Sequence, residues 1–185
     1  MKYFGCFLVF LCCSSLSAIA QQQVISFDVF DQLYLRKNSS FLSSIKIDDV
    51  YSAEGDWSII SSSIGLSPNC ETDAVLGISD CSFSEQGIEI SFSDYTGEFE
   101  LASIEISTTN FDFYYGGLAI KIGDPISRVA QRFSEAYNLR RLVPSSNGKE
   151  GIAQLELAGT DTSITFVYDT STNQIKLIRV FTPIT

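Results

Sequence analysis

The sequence predicts an α+β fold, an antiparallel, β-rich domain with one or two helices packed on the sheet. Three observations carry this expectation. Apolar and polar side chains alternate along most of the chain, one segment beyond the middle has helical spacing, and turn residues punctuate the alternating runs.

The strands come first. Ile25, Phe27 and Val29, followed by Leu33 and Leu35, share one face, with Ser26, Asp28 and Gln32 opposite. Gly87 opens Ile88-Glu89-Ile90-Ser91-Phe92, Asp94-Tyr95-Thr96-Gly97 is a turn sequence, and the chain returns through Phe99-Glu100-Leu101 to Ile104-Glu105-Ile106. The apolar phase slips by one residue at Ala102-Ser103, which marks a β-bulge. A second hairpin spans 164–168 and 175–181. Its last strand is apolar on both faces (Leu177 and Phe181, Ile178 and Val180), which places it centrally in a covered sheet.

One helix is expected from Asp124. Gly123-Asp124-Pro125 stops the strand Leu118-Ala119-Ile120-Lys121-Ile122, with Asp124 as cap and Pro125 at the first helical position. Ile126, Val129, Ala130, Phe133 and Tyr137 then fall on one face, and Arg140 and Arg141 lie where positive charge suits a helix C-terminus. A second helix is read from Val50, Ala53, Trp57, Ile60 and Ile64, capped by Asp48 or Asp49 and stopped by Gly65. Because Gly55 and Ser61-Ser62-Ser63 weaken that pattern, a short helix followed by a strand is the alternative.

Ile45-Lys46-Ile47-Asp48-Asp49 leads into the first helical segment much as Ile120-Lys121-Ile122-Gly123-Asp124 leads into the second, and each is followed by an apolar hairpin. This reads as a tandem β-α-β-β duplication with units 41–110 and 111–185. A single sheet with incidental matches is the other reading. A strand running into Gly-Asp-Pro-Ile-Ser at 123–127, an amphipathic helix and then antiparallel strands resembles the small exported bacterial proteins of the β-lactamase-inhibitor-protein pattern. The resemblance implies two helix-plus-sheet units and a protein that binds other proteins rather than catalyses. It transfers no functional residue.

The N-terminus reads as a secretory signal over 1–20. Lys2 supplies the positive region, Phe4 to Leu11 the apolar one, and Ala18-Ile19-Ala20 a cleavage site between Ala20 and Gln21. Lipidation at Cys12 or Cys13 is the alternative. The expected product is one exported domain over 21–185, periplasmic or secreted and without stable membrane insertion, since the apolar run is too short to span a bilayer. With 12 basic against 22 acidic residues the chain carries a net charge of −10, which repels phosphate backbones and argues against nucleic-acid partners. Cys70 and Cys81, the pair left after the signal, are expected to form a disulfide.

The chemistry is bounded by what is missing. The chain has no histidine, which removes Ser-His-Asp and Cys-His arrangements and histidine-ligated zinc. There is no phosphate-cradling glycine loop, so no cofactor is expected. Ser43-Ser44-Ile45-Lys46 and Ser146-Asn147-Gly148-Lys149 fit S-x-x-K but lack the partner motifs that chemistry needs. Asp48, Asp49, Glu54 and Asp56 form an acidic cluster whose spacing matches no calcium loop, which leaves helix capping as the better account.

Two features remain as a candidate interaction surface. Phe111, Phe113 and Tyr115 alternate on one face, with Asp112 and Tyr114 on the other; exposed they would anchor an interface, buried they are core. Arg128 and Arg132 lie one turn apart near Arg140 and Arg141, a local basic patch or simply solvated helix charge. The expected function is a non-catalytic exported binding protein of inhibitor, immunity or envelope-assembly type, whose partner is another protein. A structural or small-ligand-binding envelope protein is the second reading, and a carboxylate-dependent hydrolase the third.

Overall fold

The computed structural model describes residues 23–26, 31–95, 97–145 and 148–183. The signal segment, its Ala20–Gln21 junction, Phe27, Val29 and Ser146 lie outside the described residues. The fold is α+β, with short helices set against two sheets.

The first stretch of chain supplies β1 (Gln23–Ile25), β2 (Leu33–Lys37), a 3-10 turn (Phe41–Ser43), β3 (Ser44–Lys46), α1 (Ile47–Tyr51) and α2 (Ser58–Ile64). A meander follows: β4 (Pro68–Thr72), β5 (Ser79–Glu85), β6 (Ile88–Ser93) and β7 (Glu100–Ile106). The chain then runs through a similar series of two strands and a helical segment, β8 (Phe111–Tyr115), β9 (Leu118–Lys121), a 3-10 helix (Ile126–Gln131) and α3 (Ser134–Asn138). A second meander closes it: β10 (Arg141–Val143), β11 (Glu150–Leu157), β12 (Ser163–Asp169) and β13 (Gln174–Phe181).

The two series interlock. In the large sheet the order is β1-β11-β12-β13-β7-β6-β5-β4, with β10 sharing the outer edge of β11, so the last strands of the two meanders, β7 and β13, pair antiparallel at its centre. In the small sheet the order is β3-β2-β8-β9, and there the first strands of the two series pair. Ser91 faces Ser103 and Phe92 faces Leu101, which leaves Ala102 as the extra residue of the bulge that the phase slip predicts. β13 is central, as its apolar character predicts, yet its sheet is covered on one face only. Phe181 is exposed and Leu177 half-buried on the other.

Both helical segments differ from expectation. The 124–137 segment is not one α-helix: a 3-10 helix ends at Gln131, Arg132 and Phe133 leave helical geometry (Phe133 φ −124°, ψ 59°), and α3 restarts at Ser134. The break lets Phe133 drop between Tyr115 and Phe166, stacked on both rings, and the side chain of Gln23 accepts from the Ala136 N–H within α3. Asp124 does not cap forward. Its Oδ2 accepts from the Lys121 N–H at 2.9 Å, closing the turn behind it. Arg140 does meet the C-terminal end as expected, donating to the Tyr137 carbonyl at 2.7 Å. The 48–64 segment is two helices, parted where Glu54 and Gly55 take positive φ. Asp56, not Asp48 or Asp49, makes the capping contact, accepting from the Ser58 N–H at 3.1 Å. Gly65 ends α2 in the left-handed region, as its position predicts.

The core lies between the helix-bearing side and the inner face of the large sheet. Phe83, Ile90, Phe92, Ile104, Phe166, Ile178 and Val180 come from the sheet, Ile47, Val50, Ile60, Val129 and Phe133 from the helical segments. At one point the packing demands a glycine. A Cβ on Gly151 would overlap the ring of Tyr168, its cross-strand partner, so the ring fills the space a side chain would take. Gly151→Ala should lower stability by about 1–3 kcal/mol through overpacking, and Phe133→Ala by about 3–5 kcal/mol through loss of packing. Urea denaturation of the two variants measures both.

Candidate functional site

The aromatic row expected as a possible anchor is core. Phe111 and Phe113 are buried, and Phe113 meets Phe166 edge-on with ring centroids 5.7 Å apart. Tyr115 is half-buried and stacks on Phe133 at 5.5 Å. The opposite face of β8 holds a feature that the sequence did not disclose. Asp112 is fully buried and receives two bonds from Arg36 on β2, Nε to Oδ1 at 2.8 Å and an NH2 group to Oδ2 at 3.1 Å. The guanidinium of Arg36, 7% exposed, lies 4.1 Å from the centroid of Tyr114 and 4.8 Å from that of Phe41. Bidentate geometry and flanking π faces replace the water both charges gave up.

Arg128 and Arg132 are engaged by the elements beside them. Arg128 Nε donates to the Ala119 carbonyl at 2.7 Å and pairs with Asp124 at 3.3 Å, while Arg132 donates to the Gly116 carbonyl. They latch the 3-10 helix onto the β8–β9 hairpin. Of the S-x-x-K matches, Ser43 ends a 3-10 turn and Lys46 sits on a strand, so no helix start presents them. Among the described residues no group of three or more metal-ligating side chains comes together.

What the fold leaves open is the outer face of the large sheet. Register places Asn69, Ser82, Ser91 and Ser103 in one row across β4 to β7, and Glu89 and Glu105 in the next. Asn69, Ser82 and Ser91 of this row line a concavity of about 380 Å³ over β4–β6, bordered by Glu71, Asp80 and Glu89. Glu105 is paired across the sheet with Arg179 at 2.7 Å. Ser93 Oγ donates to Asp80 Oδ1, a contact with no third group to orient it as an activated nucleophile would need. The face offers hydrogen bonds and negative charge.

At the edge of this sheet stands the β4–β5 hairpin, closed by the expected disulfide between Cys70 and Cys81, which face each other with Cα atoms 4.1 Å apart. Its turn is internally ordered. Asp73 Oδ1 accepts from the Val75 N–H at 2.7 Å and the Leu76 N–H at 2.9 Å, and the Asp73 backbone bonds to Gly77 and Ile78 at 2.8 Å each. The turn nevertheless presents two apolar side chains outward: Val75 is 92% exposed and Leu76 68%.

No protein-family model and no curated protein matches the chain. Among solved structures, an extracellular protein containing an SCP domain from Bacillus anthracis str. Ames aligns at 11% identity with a TM-score of 0.39, over 74% of this chain and 45% of that one. The chain therefore spans less than half of that protein.

Two tests follow from the geometry. Asp112→Asn strands a buried guanidinium and should cost about 3–5 kcal/mol, whereas Arg36→Met with Asp112→Leu should stay near the parent or exceed it; denaturation of the single and double variants separates the two. The Asp73 carboxyl is held below its ordinary value of 3.8 by the N–H groups of Leu76 and Val75. A depressed folded value means that the ionised carboxylate's contribution to the turn is present above the ordinary value and lost as pH falls through the folded one. The amide shifts of Val75 and Leu76, followed by NMR, should therefore titrate with a midpoint below 3.8.

Proposed function

We propose that the chain is an exported, non-catalytic binding protein whose partner is another protein, acting by inhibition, immunity or envelope assembly. The observation that carries this reading is the outer face of the large sheet, which crosses both halves of the chain, bears hydroxyls and carboxylates over β4–β7 and Ile152, Val167 and Leu177 in one row over β11–β13, and is exposed at Glu89, Glu156, Arg179 and Phe181. Hydroxyls and carboxylates there offer many weak hydrogen bonds over a wide area, which suits a macromolecular surface better than a small enclosed ligand. The leader-like N-terminus and the disulfide support an oxidising, extracytoplasmic location. The net charge of −10 favours a partner with a basic surface.

The test uses residues 21–185 with the disulfide formed, immobilised against extracytoplasmic extract, followed by size-exclusion chromatography of the recovered complex. A protein that co-elutes at fixed stoichiometry, and is displaced at least tenfold by Ser91→Arg with Ser103→Arg, supports the reading. A complex indifferent to those substitutions removes the open face from it, and absence of any stoichiometric protein overturns it.

A further inference from the structure

We infer that the Cys70–Cys81 hairpin is an insertion finger, which seats Val75 and Leu76 in an apolar cleft of a partner protein whose rim carries lysine and arginine. The inference rests on the protein-binding reading and names the element that enters the partner and the chemistry of its receptor.

The hairpin contradicts the rules of stability at its outer end. Val75 and Leu76 turn outward beside each other, and among the described residues no element covers them. Glu71 and Asp80 sit directly opposite on β4 and β5, an arrangement that works against strand pairing. Every residue of β4 is exposed, and among the described residues no strand pairs beyond it. The disulfide one residue from the Glu71–Asp80 pair offsets these costs, and Asp73 fixes the backbone of Val75 and Leu76 through their N–H groups. Apolar side chains held outward on a braced frame are the features of a binding element that is ordered before it meets its partner.

The receptor follows from shape and charge. The tip of a two-stranded ribbon is about 10 Å across, counting strand spacing and side chains, so the receptor is a cleft rather than a plane. Its floor is apolar, to take a valine and a leucine. Its rim is basic: residues 47–120 contain 14 aspartates and glutamates and no lysine or arginine. Glu71, Asp73 and Asp80 surround the tip itself.

The experiment places a photo-crosslinking phenylalanine analogue at position 75, and separately at 91 on the open sheet face, in the full chain produced in its own cell. The protein cross-linked from position 75 is purified and titrated by calorimetry against the parent and against Val75→Asp with Leu76→Asp. Both side chains are solvent-facing, so the variant folds; unreduced mass and circular dichroism verify it. The expected result is a cross-link from 75 to a concave, apolar segment of a different protein flanked by lysine or arginine. Affinity should fall at least 100-fold in the tip variant, and at least tenfold for the parent between 50 and 300 mM salt, in line with screening of a charged rim (Debye length about 10 Å at 0.1 M). Cross-linking from 91 without 75 overturns the finger while leaving the protein-binding reading in place. A cross-link only to a second copy of the chain, or a tip variant that binds within threefold of the parent, overturns it as well.

Discussion

The seam between β7 and β13 holds the molecule together. Ile104 faces Val180 and Ile106 faces Ile178 across it, all four buried, and through these pairs two four-stranded meanders become one sheet. Each meander alone would end in an unpaired apolar strand, an invitation to association. Antiparallel pairing of the two ends removes both liabilities at once. The small sheet repeats the device, since β2 and β8 pair there by the same antiparallel logic, with Leu35 beside Phe113 on the buried side. The two seams tie the halves at both layers, and the helical segments fill the space between.

That arrangement explains why the helices are short. A long helix laid across the inner face would have to be straight, whereas the layer beneath is built of small elements with side chains arriving from the β8–β9 hairpin and from β12. Phe133 reaches Phe113, Tyr115 and Phe166 only because the chain leaves helical geometry at Arg132 and Phe133. Ring packing at three contacts outweighs the few backbone bonds a continuous helix would add, and the side chain of Gln23 accepts from one amide of the restarted helix.

The local patterns were legible in the sequence, the non-local ones were not. Alternation along 88–106 and 164–181 marks two real hairpins, and the phase slip at Ala102 is a real bulge because both are properties of a single strand's pleat. The 124–137 segment misleads for a physical reason. Ile126, Val129 and Phe133 satisfy a 3.6 period, but the first step of three also satisfies a 3-10 turn, and nothing in the spacing shows which the packing selects. The Arg36–Asp112 pair depends on the register of β2 against β8, whose strands are far apart in sequence, so neither charge advertises the other. Phe111 and Phe113 could be assigned to one face but not to core or surface until the small sheet had an inside. On the candidate finger, Cys70 and Cys81 announce the brace, while the exposure of Val75 and Leu76 emerges only once β4 is seen to be an edge.

The two halves share an order of elements but not a surface. The strands equivalent to β4 and β5 in the second half are β10 and β11, and there β1 pairs with the same edge of β11 that β10 uses, so that edge is covered twice. Arg140, Arg141 and Lys149 cluster in sequence around β10, whereas the stretch holding β4 and β5 has no cation at all. At one end the sheet is extended by β1, which becomes its outermost strand, and at the other it ends on β4, braced by a disulfide and given one sign of charge. Packing of the core does not account for these differences, because both meanders send buried apolar rows into the same core. The divergence lies where the halves meet solvent, at the β4–β5 end of the sheet and at its β1–β10 end, rather than in the core they share.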